Sequence, residues 1–176
     1  MKMNKKNLLW SLLTILFASI FSVSFVSCGD DDDNNSNEST ITENDPEGTI
    51  IANLQNTFYE TGNWYYDNGI MISNGYLGMN NSNNLQAEGY GNPYNAEIVS
   101  VGKVNGLSSI KNIPETGWSH QTAALPGYGY VYRQKYKNGG EYYYARIYAV
   151  DYMTNSSDEI IGITIKYQEN WEPDVK

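Results

Sequence analysis

Tyr128-Gly129-Tyr130-Val131-Tyr132-Arg133-Gln134-Lys135-Tyr136-Lys137-Asn138-Gly139-Gly140-Glu141-Tyr142-Tyr143-Tyr144-Ala145-Arg146-Ile147-Tyr148-Ala149-Val150-Asp151-Tyr152-Met153 reads as a β-hairpin. Aromatic and β-branched residues fill both arms, and such side chains favour strands because they pack well on a pleated surface. Asn138-Gly139 suits the two-residue type I′ turn, whose twist matches the flanking strands. That loop pairs Lys137 with Gly140, and therefore Tyr132 with Ala145, Tyr130 with Ile147 and Tyr128 with Ala149. Large then meets small on one face, as a packed layer requires. The other face sets Arg133 beside Tyr144 and Lys135 beside Tyr142, cation–aromatic pairs suited to a solvated surface. Gly140 leaves a second register open. A three-residue loop with a bulge stacks Tyr130 and Tyr132 against Tyr144 and Arg146 instead.

The pattern extends in both directions from this hairpin. Thr49 to Tyr59 reads as a strand with Ile51, Leu54 and Phe58 as core contributors. Gly69 to Met79 reads as two short strands about Ser73-Asn74-Gly75. Ala96 to Val104 is a strand centred on Ile98 and Val99, and Thr122 to Leu125 a short one stopped by Pro126-Gly127. Glu159 to Gln168 alternates, with Ile161, Ile163, Ile165 and Tyr167 on one face. Gly162, Thr164, Lys166 and Gln168 take the other, which is expected to meet water. Turn clusters such as Asn80 to Asn84, Gly89 to Pro93 and Asn105-Gly106 separate these runs. Short strands at such spacing predict an all-β domain over residues 48–176, a single antiparallel β-sandwich or partly open barrel. Cys28 is the one cysteine, so the fold has no disulfides and rests on burial alone.

The first 27 residues are of a different kind. Lys2, Lys5 and Lys6 precede an apolar run from Leu8 to Val26, and Val26-Ser27-Cys28 closes it. A basic start, an apolar stretch and small residues at a cleavage point describe an export signal, and the cysteine directly after them makes it resemble a bacterial lipoprotein signal, removed at Cys28. The run approaches the roughly 20 residues of a membrane span. Ser11, Thr14, Ser19, Ser22 and Ser24 dilute it, and it ends at a cysteine rather than at an aromatic or basic belt. Acylated Cys28 would hold the chain to a membrane, stably where two or more acyl chains insert.

Residues 28–47 carry Asp30, Asp31, Asp32 and Asp33, then Glu38, Glu43, Asp45 and Glu47 among Asn, Ser and Thr. So polar a stretch buries too little to offset its ordering entropy and is expected to be a disordered tether. Consecutive aspartates lack the alternate spacing and turning glycine of a calcium loop. Without the signal, 20 acidic and 8 basic residues leave a formal net charge of −12. That balance argues against nucleic acid as a partner, because phosphate neutralisation needs a basic face.

Gly117-Trp118, Ala123-Ala124, Pro126-Gly127-Tyr128-Gly129-Tyr130-Val131, Arg133 and the run Ala145 to Tyr152 resemble a pattern in uncharacterised Bacteroidota-type surface lipoproteins. Asp45-Pro46-Glu47-Gly48-Thr49 and Val99-Ser100-Val101-Gly102 are similar to the same group, so the resemblance spans most of residues 45–167. It implies an intact domain and a location: lipid-anchored at the outer membrane and exposed at the cell surface. In such proteins acidic residues directly after the lipidated cysteine act as an export tag, which assigns that role to Asp30–Asp33. No catalytic or ligand-binding residue is implied by it.

Catalytic chemistry is thinly supplied. His120 is the single histidine and lies in a polar loop, so a Ser-His-Asp arrangement or a zinc site finds few ligands. No catalytic residue, metal site or cofactor is expected. Carboxylate pairs at the separation of a glycosidase remain the alternative, with Glu88, Glu97, Glu115, Glu141 and Asp151 as members. Gly127-Tyr128-Gly129 leads into a strand rather than a helix, so it is no phosphate cradle. Trp64, Tyr65, Tyr66, Tyr90, Tyr94, Trp118 and Trp171 instead lie in or beside polar loops. Rings flanked by amides suit a glycan or an envelope protein, and equally suit capping the ends of a small β domain. Trp64, Tyr65, Trp118 and Trp171 are the candidate binding residues. The expected function is non-catalytic binding or scaffolding.

Two outcomes test the N-terminal reading. Cys28→Ser should abolish acyl labelling and leave the export segment uncleaved, as mass spectrometry of the intact protein would reveal. Replacing Asp30–Asp33 by Ala should retain the domain on the inner leaflet, and unchanged protease accessibility on intact cells would remove the export role.

Overall fold

The computed structural model describes residues 40–57, 69–73, 75–89, 95–135 and 140–173. Nine strands run in order: β1 Ile50–Thr57, β2 Ile70–Ile72, β3 Gly75–Asn80, β4 Asn84–Gly89, β5 Ala96–Lys103, β6 Gln121–Ala123, β7 Tyr128–Lys135, β8 Tyr142–Thr154 and β9 Ile160–Gln168. They form one sheet ordered β5-β7-β8-β9-β1-β3-β4-β6, with β2 on β3, curled into a nearly closed barrel. Of the two all-β architectures expected, this is the partly open barrel. Every named pair is antiparallel except β1 with β3, where Asn56 faces Met79 and Thr57 faces Asn80 in parallel. That pairing departs from the all-antiparallel expectation. β2 lies antiparallel to β3, so the chain turns between them and β3 runs in the direction of β1.

β7 and β8 adopt the two-residue register: Tyr130 faces Ile147, Tyr132 faces Ala145, Arg133 faces Tyr144 and Lys135 faces Tyr142. Asn138-Gly139 itself lies outside the described residues. Tyr130 and Tyr132 are fully buried in the barrel with Ile147, Ala145, Ile163, Ile165, Leu54 and Leu77. Their hydroxyls stay satisfied. Tyr130 Oη accepts from Leu125 N and donates to Ala123 O, each at 2.8 Å, and Tyr152 Oη donates to Ala124 O at 2.6 Å. Burial pushes the Tyr130 hydroxyl up to about 12, so it remains a neutral donor.

Several expectations need correction. Ile51 is half-exposed whereas Leu54 is buried, because residues three apart on a strand point to opposite faces. Phe58 lies outside the described residues. On β9, Ile163, Ile165 and Tyr167 enter the core, but Ile161 at the strand's start is 38 % exposed. Its other face is not simply wet: Gly162 is buried and Lys166 is 8 % exposed. The Lys166 ammonium lies 2.6 Å from the Asp45 carboxylate, whose side chain is 7 % exposed. Asp45, counted above with the tether acids, is therefore folded onto the barrel. Burial pushes its carboxyl up, but the Lys166 ammonium and the Thr42 N–H and hydroxyl outweigh that and hold it below its usual range. The stability it contributes is full above the ordinary carboxylate pKa of about 4 and is lost as pH falls through the lowered folded value. β4 is the strand the turn clusters hid, since Leu85 and Ala87 alone are apolar between them.

A second, smaller core lies outside the barrel. Val99 of β5 and Val131 of β7 face outward and are covered by Leu107, Ile110 and Trp171. Leu107 sits in a short 3-10 helix, Leu107–Ser109. Gly129 is buried beneath this cover, and a Cβ there would lie 2.9 Å from Ile110 Cδ1 and Val101 Cγ2.

The tightest backbone approach in the barrel wall is Gly162, where an added Cβ would run into the Leu54 carbonyl of β1. Gly162→Ala should destabilise by about 2–3 kcal/mol, because backbone cannot step aside as a side chain can. Thermal unfolding should record a Tm lower by roughly 10 °C. Gly78→Ala, where a Cβ meets nothing within 4 Å, is the control and should leave Tm nearly unchanged.

Candidate recognition surface

Alternation along β5, β7 and β8 sends Glu97, Arg133, Lys135, Tyr142 and Tyr144 to the outer face of the sheet. Glu97 faces Arg133 across β5 and β7, and two guanidinium nitrogens, Nε at 2.8 Å and Nη2 at 2.6 Å, donate to its Oε2. Trp118 arrives from the loop before β6. Gly117, at a φ of 87°, turns the chain against Val99, and Ser119 then bonds both ways with Ile98. The indole Nε1 donates to Pro114 O at 3.0 Å and fixes the ring's orientation.

The Arg133 guanidinium carbon lies 4.0 Å from the Trp118 ring centroid and 4.7 Å from that of Tyr142. Lys135 Nζ lies 5.8 Å from the Tyr142 ring, and Tyr144 stands 6.1 Å from Tyr142 at a tilt of 39°. A planar cation stacked on two rings and tied to a carboxylate loses most of its rotamer freedom. Its charge is largely met by Glu97, so the patch offers aromatic area and oriented donors more than net charge. The side chains of Arg133 and Glu97 are 20 % and 28 % exposed, and Tyr142 is 39 % exposed. A partner would meet a rigid, amphipathic surface.

Trp118 and Trp171 share the outer cluster but differ in role. Trp118 is half-buried at its rim, whereas Trp171 is 6 % exposed, with the Arg146 guanidinium 5.5 Å above its ring. Trp171 therefore caps the outer core and offers little ring to a ligand. Cys28, Asp30–Asp33, Trp64, Tyr65, Tyr66, Tyr90 and Tyr94 lie outside the described residues. The stack itself was not legible beforehand. The hairpin register places Lys135 by Tyr142, but no local signal in Gly117-Trp118-Ser119 says that this loop will cross β5.

His120 is structural in its contacts. Its Nδ1 stands 2.9 Å from Ala96 O, an acceptor that only an N–H satisfies, and its own carbonyl accepts from Ala87 N at 2.8 Å. Asp151 is exposed and accepts from the Tyr152 N–H at 2.8 Å, beside the bulge in β8. Glu115 and Glu141 are exposed, and Glu97 serves Arg133. Among the described residues no three of His, Cys, Asp and Glu come close enough to hold a metal ion. An open groove of about 320 Å³ runs beside the outer core, lined by Val101, Val104, Ser109, Ile110, Lys111, Asn112 and Pro114. No protein-family model, curated protein or solved structure matches this chain.

Among the described residues, Glu88 of β4 is a further buried carboxyl, 7 % exposed and opposite Tyr76 of β3. Burial pushes it up to about 7. A folded-state pKa raised above the unfolded value means that the folded form holds a proton the unfolded form has released. Stability then falls as pH rises from about 4 to about 7 and levels off above. Glu88→Gln should therefore be more stable than the parent at pH 8, by on the order of 2 kcal/mol, and nearly equal to it at pH 5. Denaturant melts at the two pH values check this, and a gap independent of pH would contradict it.

Proposed function

We propose that the chain is a lipoprotein acylated at Cys28 and exposed at the outer-membrane surface, where its β barrel acts as a non-catalytic recognition or scaffolding module. The N-terminal signal, the cysteine and the acidic run after it support the location. The observation that carries the binding role is the Trp118–Arg133–Tyr142 stack clamped by Glu97. Ordering those side chains is already done in the free protein, so a partner loses less entropy on binding. Flat aromatic area with oriented N–H and O–H groups suits a glycan ring or an aromatic-rich patch of an envelope protein. A carboxylate-dependent glycan hydrolase is the second reading, and Glu88 favours it, because a carboxyl that keeps its proton near pH 7 is what a general acid requires.

Glycan arrays and binding assays with purified envelope proteins, using the full chain, separate these readings. Tyr142→Ala and Arg133→Ala should weaken binding about tenfold or more, as truncation of a central aromatic or arginine commonly does. Binding unchanged by both would remove the stack as the recognition surface. Turnover of a glycan that disappears in Glu88→Gln would establish the hydrolase instead.

A further inference from the structure

We propose that residues 42–49 form a releasable clasp that stores extra reach for the tether between the membrane anchor and the barrel. The reach depends on the anchoring reading above; the clasp itself is a property of the fold. Two successive turns make it. Asp45 N donates to Thr42 O at 3.0 Å, and Thr49 N donates to Pro46 O at 3.1 Å. One atom, Asp45 Oδ2, then accepts from Thr42 N at 2.8 Å, Thr42 Oγ1 at 3.1 Å and Lys166 Nζ at 2.6 Å. A second fastening follows two residues further on in both the clasp and β9: Gln168 Nε2 donates to Glu47 O at 2.9 Å. Gln168 is in turn fixed by Arg146, whose Nε donates to its Oε1 at 2.7 Å.

The fastenings are polar, and the segment gives the apolar core almost nothing. Thr42, Glu43, Asn44, Glu47 and Gly48 are exposed, Ile41 just before them is 56 % exposed, and only Thr49 is buried. The ladder of β1 with β9 begins at Ile50, after the clasp ends. Residues 42–49 can thus detach without breaking a strand pairing, as segments with few buried apolar contacts do. Extended, these eight residues span about 28 Å. Tension arriving from the N-terminal side falls on the Asp45–Lys166 pair before it reaches β1.

Hydrogen exchange on the full chain in lipid nanodiscs at neutral pH tests the clasp. Asp45→Asn and Lys166→Met should each raise exchange at residues 42–49 about tenfold or more, leave β7 and β8 unchanged, and add little when combined. Unchanged exchange at 42–49, or acceleration spread over β1 and β9, overturns the clasp. The height of the barrel above a supported bilayer should increase by roughly 10–25 Å in Asp45→Asn. Exchange that rises with no change in height overturns the stored reach. A Cys28 found without lipid by mass spectrometry ends the anchoring reading, while exchange still decides the clasp.

Discussion

The two hydrogen bonds exchanged by Ile98 and Ser119, at 2.7 and 3.1 Å, join the two ends of the sheet. β5 and β6 end the strand order, and without this bridge the barrel would be an open sheet with two raw edges. Ser119 and His120 act together there. Ser119 holds β5, while the His120 carbonyl takes the Ala87 N–H of β4 and its ring takes Ala96 O. No disulfide reinforces the closure, so a few backbone bonds and one imidazole decide whether Tyr130 and Tyr132 are enclosed. Trp118 is placed by the same bridge, since it precedes Ser119. The surface proposed for recognition therefore depends on the seam that closes the core.

Tyrosine solves a second problem of this small domain. A ring wide enough to fill the barrel brings a hydroxyl that must find a partner. Tyr130 and Tyr152 direct theirs at the backbone of residues 123–125, the irregular segment between β6 and β7. Tyr143 similarly accepts from Asn170 N at 3.0 Å and donates to Glu169 at 3.2 Å, securing the chain just before Trp171. Core filling and loop fixation are then one function of one side chain.

The hairpin was legible because three independent signals agree: Asn138-Gly139 at the turn, alternation on both arms, and Ala145 and Ile147 opposite Tyr132 and Tyr130. β9 is legible as a strand, yet its outer face reads as solvated. Lys166 reads as a surface residue until Asp45, far away in sequence, comes to lie on it. β4 is not legible because Asn84, Gln86 and Glu88 look like loop. Its pairing with β3 makes it a strand, and that is tertiary information. The same holds for the arginine–aromatic stack: Arg133 and Tyr142 follow from register, but Trp118 reaches them only through the seam.

β1 is hydrogen-bonded to β9 from Ile50–Tyr167 through Gln55–Gly162. Its other partner, β3, among the described residues meets it at Asn56 and Thr57. β1 thus has no stable place until β9 exists, and the cost of closing so long a loop comes before its reward. A growing chain of this kind has no folded intermediate that includes β1 before β9 is made. Until β9 emerges, most of the hydrogen-bonding edge of β1 stays open, a template for any other extended segment.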